Sequence, residues 1–230
     1  MTGLSNSPAD DSFLSSASDG TVRLWDMKQA GGIAELKLPA DSCATNSAPL
    51  AAYDTTGLVF AISAAMADGT GQYLHLYDAR NYGAGAFAEL KVAQADVENA
   101  IRASSAGASS SVDLSGGKWT SLQFNQSGSQ MLVANDKGVS ILLDGFEGTV
   151  QRVLIGQQSQ NDRPAVATLT PDDKSVLMGN EDGSITCWNI ETGVMMKRLE
   201  GHLGPVNCLA ANPKYSQLAS SCSQIGLWIW

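Results

Sequence analysis

Only two histidines, His75 and His202, and four cysteines, Cys43, Cys187, Cys208 and Cys222, occur in the 230 residues. No two cysteines stand at a C-x-x-C spacing, so a structural zinc site is not expected. Nor do they form a disulfide framework, which suits a reducing compartment. Lysine and arginine number 14 against 23 acidic residues, for a net charge of −9 and a pI near 4.5. A surface of that sign repels phosphate backbones, so direct nucleic-acid binding is not expected. Long hydrophobic runs are missing. The longest, residues 58–67, is interrupted by Ser63 and is far too short to cross a bilayer. No membrane partner is expected, and Met1-Thr2-Gly3 does not open a secretory leader. Enzyme signatures are missing too: there is no G-x-S-x-G elbow, no P-loop and no H-E-x-x-H. No catalytic residue, metal or cofactor is therefore expected. Asn125-Gln126-Ser127 fits a glycosylation acceptor but reads as a turn.

What is present is 43% hydrophobic residues, enough for a packed core, and a repeated phrase. It reads Asp19-Gly20-Thr21-Val22-Arg23-Leu24-Trp25-Asp26, then returns as Asp182-Gly183-Ser184-Ile185-Thr186-Cys187-Trp188-Asn189. Tyr73-Leu74-His75-Leu76-Tyr77-Asp78 and a worn copy at 138–144 lie between them. The Asp-Gly turn joins two strands because glycine accepts positive φ and the aspartate bonds back to the backbone. Val22 and Leu24 alternate with Arg23 and Trp25, and Ile185 and Cys187 with Thr186 and Trp188. Both faces carry apolar bulk, so these strands are expected between layers. Cys187 reads as a small buried hydrophobe. His75 parallels Arg23 and is expected to point sideways or to solvent.

Turn clusters at 54–57, 125–128 and 170–173 recur at one place in each unit, between its first and second strands. Units of strands spanning residues 2–38, 49–92, 118–155, 165–199 and 205–230 follow, all in one domain, 1–230. A period of roughly 40–45 residues with Gly-His and Trp-Asp signatures marks an all-β, WD-repeat β-propeller. Residues 93–116 read as an inserted flexible loop, with a helical pattern over 94–103 before a Ser/Ala/Gly stretch.

The repeat signature residues are Asp19, Trp25, Tyr77, Asp182, Trp188, His202 and Trp228. An aromatic row at one strand position is expected to pack between neighbouring blades rather than to bind a ligand. In WD repeats, a Gly-His histidine is commonly linked through a Ser or Thr and a turn Asp to the strand Trp. Here no blade is expected to complete that network. The last unit has His202, Ser220, Ser221 and Trp228 but no Asp in its turn, and the fourth has Asp182 and Trp188 but no preceding Gly-His. Catalysis by His202 would need a nucleophile and an orienting acid nearby.

Several segments in order carry a closer likeness. They are 7–15 with 21–26, Asp54-Thr55-Thr56-Gly57-Leu58-Val59-Phe60-Ala61, and Leu76-Tyr77-Asp78-Ala79-Arg80-Asn81-Tyr82 with 85–87. Thr170-Pro171-Asp172 with 179–183, and Gly201-His202-Leu203-Gly204-Pro205-Val206-Asn207-Cys208-Leu209 with 218–223, complete the set. The chain resembles the family of WD repeat-containing protein 82, the Swd-type subunit of the COMPASS histone methyltransferase complex, over nearly all but residues 93–116. That resemblance implies a nuclear, non-catalytic adaptor for histone H3 lysine methylation, coupled to RNA polymerase II through its phosphorylated tail. It also leaves open a scaffold in a nuclear phosphatase or an mRNA cleavage and polyadenylation complex. A propeller hydrolase would require acidic residues converging on the channel. Arg23, Arg80 and Tyr82 are the candidate partner contacts, arginine because it pairs with phosphorylated peptides. The family ring has about seven blades. The chain is therefore expected to hold its C-terminal two-thirds, as a fragment, a shortened gene model or a splice form.

Overall fold

The computed structural model describes residues 3–39, 43–44, 48–104, 117–156 and 166–229. They fall into two compact units, Met1–Asp96 with Gly145–Thr149, and Val97–Asp144 with Val150–Trp230.

The first unit holds two four-stranded antiparallel meanders. One is β1 (Gly3–Asn6), β2 (Ser12–Ser16), β3 (Val22–Asp26) and β4 (Gly32–Leu36). The other is β5 (Leu50–Tyr53), β6 (Val59–Ala65), β7 (Gly71–Asp78) and β8 (Ala88–Ala93). A helix, α1 (Gln94–Ala103), follows β8 in the chain; its Val97 and Ile101, which belong to the second unit, are buried one turn apart on one face. The rest of the predicted insertion, 105–116, lies outside the described residues.

The second unit holds three sheets. They are β9 (Trp119–Phe124) to β12 (Val150–Ile155) through β10 (Gln130–Asn135) and β11 (Val139–Asp144); β13 (Val166–Leu169), β14 (Ser175–Gly179), β15 (Ser184–Asn189) and β16 (Met195–Glu200); and the three strands β17 (Cys208–Ala211), β18 (Gln217–Ser221) and β19 (Ile225–Ile229). The fold is all-β and its sheets are WD-type propeller blades, as the repeat predicts.

Alternation along the strands sends side chains into two layers. From the fourth sheet, Val176 and Met178 face one cluster with Leu132, Leu142 and Leu154 of the third. Their neighbours Leu177 and Ile185 face another cluster with Leu209 and Leu218 of the fifth. In the first unit, Leu14, Val22 and Leu24 meet Tyr53, Phe60, Ile62 and Tyr77 in the same way. β11 is buried from Val139 to Leu143, so it has no wet face at all. Each fully buried leucine contributes about 2 kcal/mol by area alone.

Pairing register fixes the repeat more sharply than composition does. A bulge falls immediately before the aromatic position in three sheets, at Leu24/Trp25, Leu142/Leu143 and Cys187/Trp188. Leu143 therefore occupies the aromatic place in the third sheet, where it is fully buried. The hairpin turns are equally regular. Gly57 and Gly128 adopt φ of 71° and 70° at the first-to-second turns. Asp173 holds the equivalent place in the fourth sheet at φ 56°. A short polar residue tolerates this left-handed region. Its carboxylate accepts the Gln126 and Ser127 backbone N–H groups at 2.7 and 3.0 Å, which ties one blade's turn to the next.

Trp188 packs against the cluster between the third and fourth sheets. Truncating Trp188 to alanine should cost about 3 kcal/mol in urea unfolding. A loss under about 0.5 kcal/mol, typical of an uninvolved surface position, would contradict that role.

Candidate functional site

The signature residues organise the interior and the turns. Trp25 donates its indole N–H to Ser15 Oγ at 2.8 Å, and its ring lies on Phe13, the cross-strand partner, 6.0 Å away. Both of these contacts lie within its own sheet. Tyr77 is buried and stacks on Phe60 at 5.1 Å, inside the cluster shared by the first two sheets. Trp188 donates to Thr186 Oγ1 at 3.1 Å, because buried Met178 stands where the first and fifth sheets have Ser15 and Ser220. Asp19 accepts the Thr21 hydroxyl at 2.7 Å and the Thr21 N–H at 3.0 Å, and the hydroxyl above all holds its carboxyl below the ordinary value of 3.8. Burial pushes Asp182 up, but hydrogen bonds from Ser184 and the charge of Arg198 outweigh it and leave the carboxyl low. Cys187 is only half-buried, though desolvation still pushes its thiol up.

The last sheet departs from expectation. Trp228 donates to Ser220 Oγ at 2.7 Å, and the same oxygen lies 2.6 Å from His202 Nε2. The other imidazole nitrogen, Nδ1, lies 3.1 Å from Cys222 Sγ. Among the described residues the Cys222 thiol, not an acid, stands at the far end of this relay. The His202 carbonyl closes over the Asp182-Gly183 turn. Gly183 has φ 85°, and a Cβ there would come within 2.3 Å of that oxygen. His202 thus joins the turn of one blade to the inner strands of the next.

Of the three candidate contacts, Arg23 is matched inside its sheet, 3.3 Å from Glu35 and 3.7 Å from Asp19. Arg80 follows β7 and leans on Asp78 at 3.3 Å, with 73% of its side chain exposed. Tyr82 opens the short 3-10 turn Tyr82–Ala84 and rests against the core cluster. Arg80 and Tyr82 therefore share one turn, while Arg23 sits in mid-strand on another sheet.

A profile of the family described as "WD domain, G-beta repeat" matches residues 1–26 and 193–228. Those two segments carry WD repeats. The chain is 32% identical to WD repeat-containing protein 82 of Drosophila melanogaster over 224 residues, 97% of the chain and 61% of that protein. It is 31% identical to Protein ANTHESIS POMOTING FACTOR 1 of Arabidopsis thaliana over 231 residues, 100% of the chain and 59% of that protein. COMPASS component SWD2 of Saccharomyces cerevisiae is 28% identical over 239 residues, 99% of the chain and 64% of that protein. The likeness read from the ordered motifs is borne out. The chain spans about three-fifths of the length of these relatives.

One cluster of the chain was not foreseen. His75 is 2% exposed, not directed to solvent. β7 is covered on both faces, so alternation with Leu74 and Leu76 does not imply a wet side chain. Cys43 Sγ lies 3.7 Å from His75 Nε2, and Glu89 Oε2 lies 3.5 Å from Nδ1. The order thiol, imidazole, carboxylate is that of a nucleophile relay. Here both Cys43 and His75 are buried. Among the described residues no group of His, Cys, Asp and Glu is arranged to hold a metal ion.

Desolvation pushes the His75 imidazole below its ordinary value of 6.5, against the opposing pull of Glu89. The unfolded chain binds this proton at higher pH than the folded one. Stability is therefore complete above about pH 6.5 and falls as pH drops toward the folded value. Urea titrations at stepped pH should show that decline, and His75→Leu should flatten it. An unchanged slope in the variant would exclude His75 as its source.

Proposed function

We propose that the chain is a non-catalytic adaptor of a nuclear chromatin complex of the COMPASS type. In that role it supports histone H3 lysine methylation and couples it to RNA polymerase II. One observation carries the reading. The similarity runs through nearly the whole chain, and two relatives are named as COMPASS component SWD2 and Set1 complex component swd2. The second of these, from Schizosaccharomyces pombe, is 38% identical over 63 residues. The chemistry of the described residues agrees with an adaptor. The polar clusters are consumed by turns and interior relays, and the thiol–imidazole–carboxylate set of Cys43, His75 and Glu89 is buried at its reactive end.

The contact surface we assign centres on Arg80 and Tyr82, an exposed guanidinium beside an anchored aromatic ring. Arg23 belongs to it more weakly, because it is held between two carboxylates, Glu35 and Asp19, and is about half as exposed as Arg80, which pairs with Asp78 alone. With a net charge of −9, an exposed arginine is a scarce cation suited to a phosphorylated peptide.

Affinity purification of the tagged chain from nuclear extract, read by mass spectrometry, should recover histone methyltransferase subunits. Recovery of phosphatase or polyadenylation subunits with none of the methyltransferase would contradict the assignment. Arg80→Glu should cut the recovery by about tenfold. Undiminished recovery would remove Arg80 from the contact surface.

A further inference from the structure

Cys222 differs from the other three thiols in what surrounds it. It is half-buried just after β18, with Sγ 3.1 Å from His202 Nδ1 and 3.4 Å from the Gln224 backbone N–H. Behind the imidazole, Nε2 meets Ser220 Oγ at 2.6 Å, and that oxygen accepts the Trp228 N–H at 2.7 Å. Trp228 N–H donates to Ser220. With the imidazole assigned as its Nδ1–H tautomer, one direction runs through the row: the Ser220 hydroxyl donates to Nε2 and Nδ1–H donates to sulfur. In such a chain each bond polarises the next. Its end is a sulfur that receives two N–H donors, an environment that favours thiolate over thiol. Apart from the imidazole, the Cys222 thiol is held below its ordinary value of 9.0 by local hydrogen bonds, chiefly from the Gln224 N–H, with Ser223 and Leu203 adding to it. A cavity of about 200 Å³, lined by Gly201, His202, Gln224, Gly226 and Trp228, lies beside the imidazole. Cys43 is buried beside its histidine, and burial pushes the half-buried Cys187 up. Cys208 is exposed, on β17 opposite Ser221, with no histidine bonded to it.

We propose that Cys222 is a site of reversible S-thiolation, activated by His202, that takes low-molecular-weight disulfides such as glutathione disulfide. The Cys222 sulfur attacks one sulfur of the disulfide. A new S–S bond forms, the old one breaks, and the far sulfur leaves as a thiolate that takes a proton from solvent. Cys222 is oxidised, the leaving thiol carries the two electrons away, and a second thiol reverses the step. The adduct removes the sulfur partner of His202, so the modification acts on the junction between the Gly183 turn and the last sheet.

The full chain would be incubated with glutathione disulfide, quenched by acid and digested. Peptide mass spectrometry would then follow the mixed disulfide at Cys222 and at Cys208. Cys222 should react roughly tenfold faster than Cys208, although Cys208 is the more exposed. His202→Gln should bring the Cys222 rate down to that of Cys208 and leave Cys208 unchanged. If that variant does not fold, the wild-type chain carries the test alone, because the preference for Cys222 must collapse in denaturing urea. Equal native rates, a preference that survives His202→Gln in a folded chain, or one that survives urea would each overturn the proposal.

Discussion

The structure depends on an aromatic ring placed at one register position of the third strand in a sheet. Its edge is tied inside the sheet and its face is packed beyond it. Trp188 and Trp228 each give the indole N–H to a hydroxyl on the same sheet, Thr186 or Ser220, while their rings join the apolar layers toward the neighbouring sheet. Satisfying the N–H is what makes burial of so large a ring favourable, since an unpaired buried donor costs about 1–3 kcal/mol. Tyr77 obtains the same result by stacking on Phe60, and Leu143 by giving up polarity altogether. The bulge preceding three of these positions sets where the ring sits, so local backbone geometry and long-range packing are one constraint.

Much of this was legible in the sequence because a repeat averages out local ambiguity. The Asp-Gly turns, the alternation of Ile185 and Cys187 against Trp188, and the helix over 94–103 all follow from short-range rules. The misses share a different cause. His75 reads as a polar residue on an alternating strand, and only the second covering layer shows that both faces of β7 are dry. The relay ending at Cys222 was sought as an acid, and a thiol in a Ser-Cys-Ser turn gives no signal until folding brings Gly201-His202 alongside. Asp173 looks like ordinary turn chemistry, yet its carboxylate reaches the turn of the preceding sheet, a contact 46 and 47 residues away in sequence.

Function divides along the same line. Residues held by the repeat maintain the sheets, which agrees with the adaptor role proposed. What remains outside the repeat logic is sparse: Arg80 with Tyr82 after β7, and the thiol of Cys222 at the end of a polar relay. The first is the contact surface proposed for the adaptor role. The second is a chemical feature by its hydrogen bonds. Neither site disturbs the apolar layers, so the fold can carry both without loss of packing.

The central claim is that indole tethering and ring packing act together. A double-mutant cycle with Ser220→Ala and Trp228→Phe, followed by urea unfolding, measures the link directly. A coupling free energy of about 1–2 kcal/mol is the predicted result. Additive losses, with coupling near zero, would contradict the account.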